Sequence, residues 1–359
     1  MFQLQFENQI FRKPNDFLFH SENEVLQQAL SFCRDWMEGK EKFIQKTSGS
    51  TGAPKEIEIT RDQLLTSAQA TGAFFEIGSM DRLLACLHPN YIAGKMMLVR
   101  AMVWDCPLIL VEPKSDPLQD IPDNLIPQFV AMVPLQVENS LSNPSSRRKL
   151  QEIKHVLIGG APSSVLLQQQ LAEHKIQAWQ SFGMTETVSH IALAKINGRT
   201  LWYHPLPGVQ IGQDDREALW IKSPMSGNLR IQTNDRVSIN SSGSFRWLGR
   251  VDFVVNSGGI KIFPEVLEAQ IESTVNDLFP EKRFILGGLP DSILGEKLVL
   301  LIESKDQNQQ RAKILLDQLR TILSRYESPR DVIFVKQFDE TASGKINRIK
   351  TLAHASLDH

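Results

Sequence analysis

Short apolar runs that end in turn residues, separated by segments with helical spacing, constrain this chain more than any other feature. Pro107-Leu-Ile-Leu-Val111, Phe129-Val-Ala-Met-Val133 and His155-Val-Leu-Ile158 carry apolar residues at nearly every position. Strands of that kind belong inside a parallel sheet that helices cover on both faces. Gly159-Gly-Ala-Pro162 ends the third run and opens a helix predicted over about 163–174. Residues 178–182 read as the next strand, which ends in Gly183-Met-Thr-Glu186. Upstream, Val25, Leu26, Leu30, Cys33 and Met37 recur at helical spacing over 24–37. Glu56-Ile-Glu-Ile-Thr60 alternates like a strand, and Thr60 is placed to cap a helix over about 61–75. The fold class is α/β.

The pattern changes twice downstream. Residues 218–247 carry short alternating runs with turns at Ser226-Gly227 and Ser241-Ser-Gly243, which predicts an antiparallel, barrel-like portion. After Gly249-Arg-Val-Asp252 come a helix over about 264–277, strands over 283–286 and 298–303, a long helix over about 309–324 and a strand over 332–335. We therefore expect a large N-terminal domain, 1–251, of mixed sheets and helices, and a small α+β domain, 252–359.

Composition excludes several classes of function. Lys+Arg number 39 against 41 Asp+Glu, a net charge of −2, so no basic surplus points to nucleic acid as partner. The most apolar stretch, 96–111, is interrupted by Arg100 and Asp105, which argues against a membrane-spanning helix. The start, MFQLQFENQIF, lacks the basic-then-apolar order of a secretory signal. Cys33, Cys86 and Cys106 form neither a disulfide framework nor a zinc spacing and read as buried and inert. A cytoplasmic protein is expected.

Four segments carry chemistry. Thr47, Ser48, Gly49, Ser50, Thr51 and Gly52, followed by Ala53-Pro54-Lys55, combine glycines, hydroxyls and a cation, a mixture suited to gripping phosphate. No Gly-Lys-Ser/Thr closes the segment, so it is not the Walker loop. Ser181-Phe-Gly-Met-Thr-Glu186 sets a hydroxyl and a carboxylate at a strand's end, where α/β folds bind ligands and where a carboxylate can hold magnesium. An ordinary strand-to-helix connection would use the same residues as caps. Gly249-Arg-Val-Asp252 with Asn256-Ser-Gly-Gly-Ile-Lys261, and Thr341-Ala-Ser-Gly-Lys345, are each weak by themselves.

Taken in order and spacing, the four resemble the adenylate-forming superfamily of acyl-CoA synthetases, adenylation domains and luciferases, over 43–348. Thr47–Lys55 matches that family's phosphate loop, with Glu56 in place of its last glycine. Gly160, Ala161 and Pro162 resemble its adenine wall. Ser181, Phe182, Gly183 and Met184, with Thr185 and Glu186, resemble its Tyr-Gly-x-Thr-Glu element, Phe182 standing for Tyr. Thr233-Asn-Asp235 resembles the Thr-Gly-Asp whose Asp binds ribose. Arg250 and Asp252 match the ribose-binding Arg and the hinge Asp. Gly258, Gly259 and Lys261 match the loop lining the CoA tunnel, and Lys345 matches the adenylation lysine, although Asp339 stands where a Pro is usual. The resemblance implies ATP, Mg2+ and CoA as cosubstrates and cofactor. It makes Lys345, Thr185 and Glu186 catalytic, with Glu186 the metal ligand.

The chain is short for that superfamily, with 46 residues before the phosphate loop. Thr185-Glu-Thr-Val-Ser189-His190, the compact length and the spacing of Gly94 and Arg100 are similar to the o-succinylbenzoate–CoA ligases of menaquinone synthesis. Tyr91 stands where many relatives have His. Such a substrate carries a second carboxylate, and Lys95, Ser189 and His190 are the residues expected to hold it. Two other functions fit the same motifs: a stand-alone adenylation enzyme loading a carrier protein with an aryl or short acyl acid, and a catalytically silent nucleotide-binding module.

Overall fold

The computed structural model describes residues 1–46, 56–340 and 346–357. Its centre is a nine-stranded sheet. From one edge to the other the strands are His204–Pro205, His190–Lys195, Ala178–Gly183, His155–Ile158, Phe129–Met132, Leu83–Ala85, Pro107–Leu110, Gln3–Phe6 and Gln9–Phe11. The six strands from Ala178–Gly183 to Gln3–Phe6 run parallel, with the double-sided apolar runs at the centre, and the outer three pair antiparallel. One face buries Leu83, Leu108, Phe129 and Leu157 beneath helices Glu24–Met37, Arg61–Phe75 and Ile92–Val103. The other face buries Leu84, Ile109, Val130 and Val156 beneath Pro134–Ser142, Pro144–Glu152 and Val165–Glu173. Successive residues point to opposite faces, so both layers are filled from the same strands.

Local chemistry sets several boundaries. Asn23 caps the first helix by accepting the Leu26 N–H at 2.9 Å. Thr60 and Gln63 form a reciprocal box at the start of Arg61–Phe75: the Thr60 N–H donates to Gln63 Oε1 at 2.8 Å, and the Gln63 N–H to Thr60 Oγ1 at 3.3 Å. The interrupted apolar stretch becomes helix Ile92–Val103, whose packing does not follow an amphipathic stripe because residues 96–101 are all buried. Asp105, at φ 56°, turns the chain into strand Pro107–Leu110, and its side chain accepts the Phe2 N–H at 2.7 Å. That bond ties down the N-terminal hairpin, which the sequence pattern did not predict and which extends the sheet.

The stretch read as barrel-like forms an antiparallel sheet of four strands in the order Gln210–Gln213, Ala218–Lys222, Arg230–Ile239 and Phe245–Arg250, whose outer strands do not pair with each other. The C-terminal part is a second unit with its own core. Strands Ile260–Ile262, Val255–Ser257, Gly295–Glu303 and Phe284–Asp291 lie in that order, and Asp331–Val335 pairs parallel with Gly295–Glu303. Leu286, Leu298 and Leu300 face helices Pro264–Leu278 and Gln309–Ile322, while Ile285, Val299 and Leu301 face Arg348–Leu357. The expected strands at 283–286 and 298–303 are both longer, because they zip together as one hairpin from Phe284↔Ile302 to Asp291↔Gly295. The molecule is thus a large N-terminal domain followed by a small one. Cys33, Cys86 and Cys106 are buried, unpaired thiols, and burial pushes Cys86 and Cys106 up to about 12.

Helix Ile92–Val103 lies hard against the turn before it. A Cβ on Gly94 would meet the carbonyl oxygens of His88 and Leu87 at 2.3 and 2.5 Å, and both are backbone atoms, which cannot swing aside as the end of a side chain can. Gly94→Ala should destabilise the protein by about 1–3 kcal/mol, read as a lower urea midpoint with unchanged slope.

Candidate active site

Parallel pairing of His155–Ile158 with Ala178–Gly183 puts the segments that follow each strand on one edge of the sheet. The Gly159–Pro162 turn is fastened there. Gln180, buried between the two, donates from Nε2 to the Ile158 and Ala161 carbonyls at 3.3 and 3.1 Å. It accepts at Oε1 from the Ser163 N–H and hydroxyl at 3.0 and 2.5 Å. Ser181 Oγ donates to the Ile158 carbonyl at 2.9 Å. Gly160, Ala161 and Pro162 therefore sit beside Ser181 and Phe182.

The second strand runs into a single turn, Thr185–Thr187. Thr187 is buried and its hydroxyl is saturated: it accepts the Met184 N–H at 3.1 Å and lies within bonding distance of the Met184 and Ser189 carbonyls. Val188 follows at φ 65°, a left-handed conformation that costs a β-branched residue about 1–3 kcal/mol and that only a firmly held turn sustains. Thr185 is half-buried and Glu186 exposed, and among the described residues neither side chain has a hydrogen-bond or ion-pair partner. No group of three or more His, Cys, Asp or Glu side chains suited to a metal occurs among the described residues. One free carboxylate beside a hydroxyl suits Mg2+, an ion held by one or two carboxylates together with phosphates and water.

Phe182 carries the site across to the four-stranded sheet. Its ring meets Phe245 edge-on at 5.0 Å and Tyr203 at 5.6 Å. Phe245 lies on the strand that ends in Arg250, and Arg250 is the register partner of Asp235. Asp235 accepts Trp247 Nε1–H at 3.0 Å and lies 3.9 Å from Arg250 Nη1; Arg250 Nη2 reaches Asp252 Oδ2 at 2.6 Å. Asn234 Nδ2 donates to the other Asp252 oxygen at 2.8 Å. Burial raises the Asp235 carboxyl above its ordinary range, against the pull of Trp247 and Arg250. Thus Asp235, Arg250 and Asp252 form one charged knot.

On the small domain, Ser257↔Ile260 closes a two-residue turn at Gly258 and Gly259, with φ 58° and 83°. Positive φ at both central positions is what a tight hairpin turn demands, and glycine meets it without strain. Lys261 is exposed on that hairpin. The Thr47–Lys55 segment and Lys345 lie outside the described residues; the strands flanking the former, Lys42–Lys46 and Glu56–Thr60, pair up to Lys46↔Glu56.

The three residues expected to hold a second carboxylate do not form one cluster. Lys95 Nζ donates to Gln45 Oε1 at 2.7 Å and lies 5.8 Å from the Phe32 ring, with its pKa lowered by burial and by Lys40. Ser189 and His190 belong to a different network. His190 is 5% exposed, held by Thr71 Oγ1 at Nε2 and Ser189 Oγ at Nδ1, both at 3.2 Å. Ser189 Oγ accepts from Arg100 Nη2 at 3.1 Å. Lys95 and Arg100 share a helix but sit five residues apart, so they project roughly 140° from each other.

Arg100, noted in the sequence for its spacing from Gly94, was not among the residues expected to hold the second carboxylate. It is 2% exposed, and among the described residues no carboxylate pairs with it. Its contacts are Ser189 Oγ, Met97 Sδ at 3.6 Å and the Phe129 ring at 5.9 Å, and its Nε–H is buried without a partner. Burial pushes its pKa down to about 9. The sequence showed a cation interrupting the apolar stretch 96–111, but not that this cation would lack a carboxylate partner.

The sequence model of the AMP-binding enzyme family matches residues 36–218, and that of the AMP-binding enzyme C-terminal domain matches 286–345. The chain belongs to the AMP-binding enzyme family. The acyl-CoA synthetase (AMP-forming)/AMP-acid ligase II-like protein of Dyadobacter fermentans DSM 18053 is 38% identical, with TM-score 0.63, covering 94% of this chain and 96% of that one. The 2-succinylbenzoate–CoA ligase of Listeria monocytogenes serotype 4b (strain F2365) is 25% identical over 351 residues, 92% of this chain and 73% of its own. In fold, the chain is similar to the O-succinylbenzoate coenzyme A synthetase (MenE) of Bacillus subtilis in complex with ATP and magnesium, at 22% identity and TM-score 0.72, covering 86% of this chain and 69% of that one. This AMP-binding enzyme is of the AMP-forming acid–thiol ligase class. No described helix is long and apolar enough to cross a membrane.

Burial depresses the pKa of His190 well below 6.5, with the Arg100 charge adding to the effect. The unfolded chain takes up this proton near 6.5 and the folded one does not, so stability is present above pH 6.5 and lost below it. His190→Gln should flatten that acid loss, whose slope for one proton reaches about 1.4 kcal/mol per pH unit. Urea unfolding at pH 5.0, 6.0 and 7.5 measures it.

Proposed function

We propose that this AMP-binding enzyme is an ATP-dependent carboxylate–CoA ligase acting on o-succinylbenzoate, with domains 1–251 and 252–359 hinged at Asp252. Adenylation brings two anions together: a carboxylate oxygen attacks the α-phosphorus of ATP, and pyrophosphate leaves. Chemistry of this kind is positioning and charge neutralisation, and no protein nucleophile is needed. Lys345 bridges the carboxylate and the α-phosphate, and the Thr47–Lys55 segment grips the β- and γ-phosphates. Thr185 donates to the α-phosphate and Glu186 holds Mg2+, which supplies further neutralising charge. Asp235 and Arg250 take the ribose, and the base lies against Gly160–Pro162 and the strand carrying Phe182. In the second step the CoA thiol, losing its proton, attacks the acyl carbonyl and expels AMP. Turning the small domain about Asp252 brings the Gly258, Gly259 and Lys261 face to the site in place of Lys345.

The buried guanidinium of Arg100, with no carboxylate partner among the described residues, carries the substrate assignment. A buried charge without a counterion is costly, and a dicarboxylate supplies the missing anion. Ser189 orients the guanidinium, and His190, kept neutral, anchors Ser189. Lys95, engaged by Gln45, leaves that role to Arg100.

Two experiments test the reading. Lys345→Ala should slow acyl-AMP formation by about 10²–10³-fold or more while sparing thioester formation from supplied acyl-AMP; equal loss in both half-reactions counts against the alternating faces. Arg100→Met should raise the thermal stability of the free protein, since an uncompensated charge is removed, and cut kcat/KM for o-succinylbenzoate about 100-fold or more. Benzoates lacking the second carboxylate should be unaffected by it. If simple benzoates or medium-chain fatty acids release AMP with CoA present and o-succinylbenzoate does not, the substrate assignment fails.

A further inference from the structure

Helix Pro264–Leu278, the first of the small domain, presents Glu265, Glu268 and Glu272 along one side at spacings of three and four residues. Each makes a specific bond. Glu265 Oε2 accepts the Arg250 N–H at 2.6 Å, from the far side of Asp252. Glu272 Oε2 accepts the Val165 N–H at 2.8 Å, in the first turn of the helix that follows Gly159–Pro162. Glu268 pairs with Arg348, whose guanidinium also donates to the Leu286 carbonyl at 3.2 Å and lies 5.4 Å from the Phe253 ring.

The Glu265 contact is the one built most closely into the backbone. Gly249 has φ +107°, and a Cβ there would stand 2.5 Å from Glu265 Oε2. A larger residue at 249 would push the carboxylate off the Arg250 N–H. The strand end that carries the ribose-binding side chain is therefore held at its backbone by a side chain of the other domain.

We propose that Glu265 is a positioning residue: its carboxylate, reaching from the small domain to the Arg250 N–H, sets Arg250 for the nucleotide and is the bond that must break when the small domain turns. The assignment rests on the adenylation reading above and gives it a physical latch. Burial raises the Glu265 pKa to about 7. Arg348 and the Arg250 N–H favour its charged form, and Glu268 and Asp235 oppose it. Such a carboxylate is held without being locked, as a contact that forms and breaks on every turnover requires.

The test uses Glu265→Ala, Glu265→Asp and Glu265→Gln in the full chain, with Gln270→Ala as an exposed control on the same helix. Amide hydrogen exchange of the segment around Arg250 reads the bond without reference to activity. Glu265→Ala should speed that exchange and raise the KM for ATP in acyl-AMP formation, each about tenfold, and leave thioester formation from supplied acyl-AMP unchanged. Glu265→Asp, with its oxygen withdrawn by one methylene, should do the same if the alanine protein does not fold. Glu265→Gln, which keeps an acceptor oxygen, should restore both readings to near wild type. Unchanged Arg250 exchange in Glu265→Ala or Glu265→Asp overturns the proposal, as does a glutamine variant no better than the alanine one. Failure of the wild-type protein to catalyse acid-dependent ATP–pyrophosphate exchange overturns the adenylation reading instead, and the amide measurement still decides whether the bond exists.

Discussion

Parallel strands end on the same edge of a sheet, and that constraint brings residues 159–162 beside 181–186. His155–Ile158 is apolar on both faces and must be covered twice, and Ala178–Gly183 pairs beside it in parallel. Their ends must then be polar, since the chain leaves the covered layer there. Gln180 meets this demand from inside, with bonds to Ile158, Ala161 and Ser163 that lock the first turn onto the second strand. Thr187 does the same for the second turn. With those polar groups satisfied by protein, Thr185 and Glu186 remain unpaired among the described residues at the same edge, where a ligand can claim them.

Two buried cations in the large domain show how partners separate structure from function. Lys149 is 4% exposed, and its ammonium donates to the carbonyls of Leu118, Gln119 and Ile121, with Asp123 3.7 Å away. It closes a loop and needs nothing more. Arg100 is as deeply buried but has a hydroxyl, a thioether and a ring for company, and one of its N–H groups has no acceptor. An ammonium can be satisfied by three carbonyls, whereas a guanidinium's planar fork is shaped for a carboxylate. The same physics gives these two residues opposite meanings.

The small domain is an independent layer structure joined to the large one through a few polar contacts on one helix. Its sheet is covered on both faces by its own helices, so its core does not depend on the large domain. Carboxylate-to-backbone bonds and the Arg236 guanidinium over the Phe263 ring, at 3.9 Å, bridge the two. Polar contacts of this kind re-form in another orientation more readily than an apolar interface does, since breaking them exposes groups that water can satisfy.

Much of this was legible in the residues themselves. Apolar runs, periodicity and the Thr60 cap located strands 129–132, 155–158 and 178–183 and helices 24–37 and 61–75, because burial, helical periodicity and Thr capping are local demands. Motif order pointed to the family and to Asp235, Arg250 and Asp252, which fall in one knot. The N-terminal hairpin was not legible, since its place depends on a bond from Phe2 to Asp105, over a hundred residues away. Nor was the separation of Lys95 from Ser189, or the promotion of Arg100, because a side chain's partner is settled by which helix face meets which strand. Local sequence determined what each segment is and which chemical groups it carries; tertiary packing alone decided which of those groups were left without a partner, because satisfaction of a buried charge is a property of its whole surroundings.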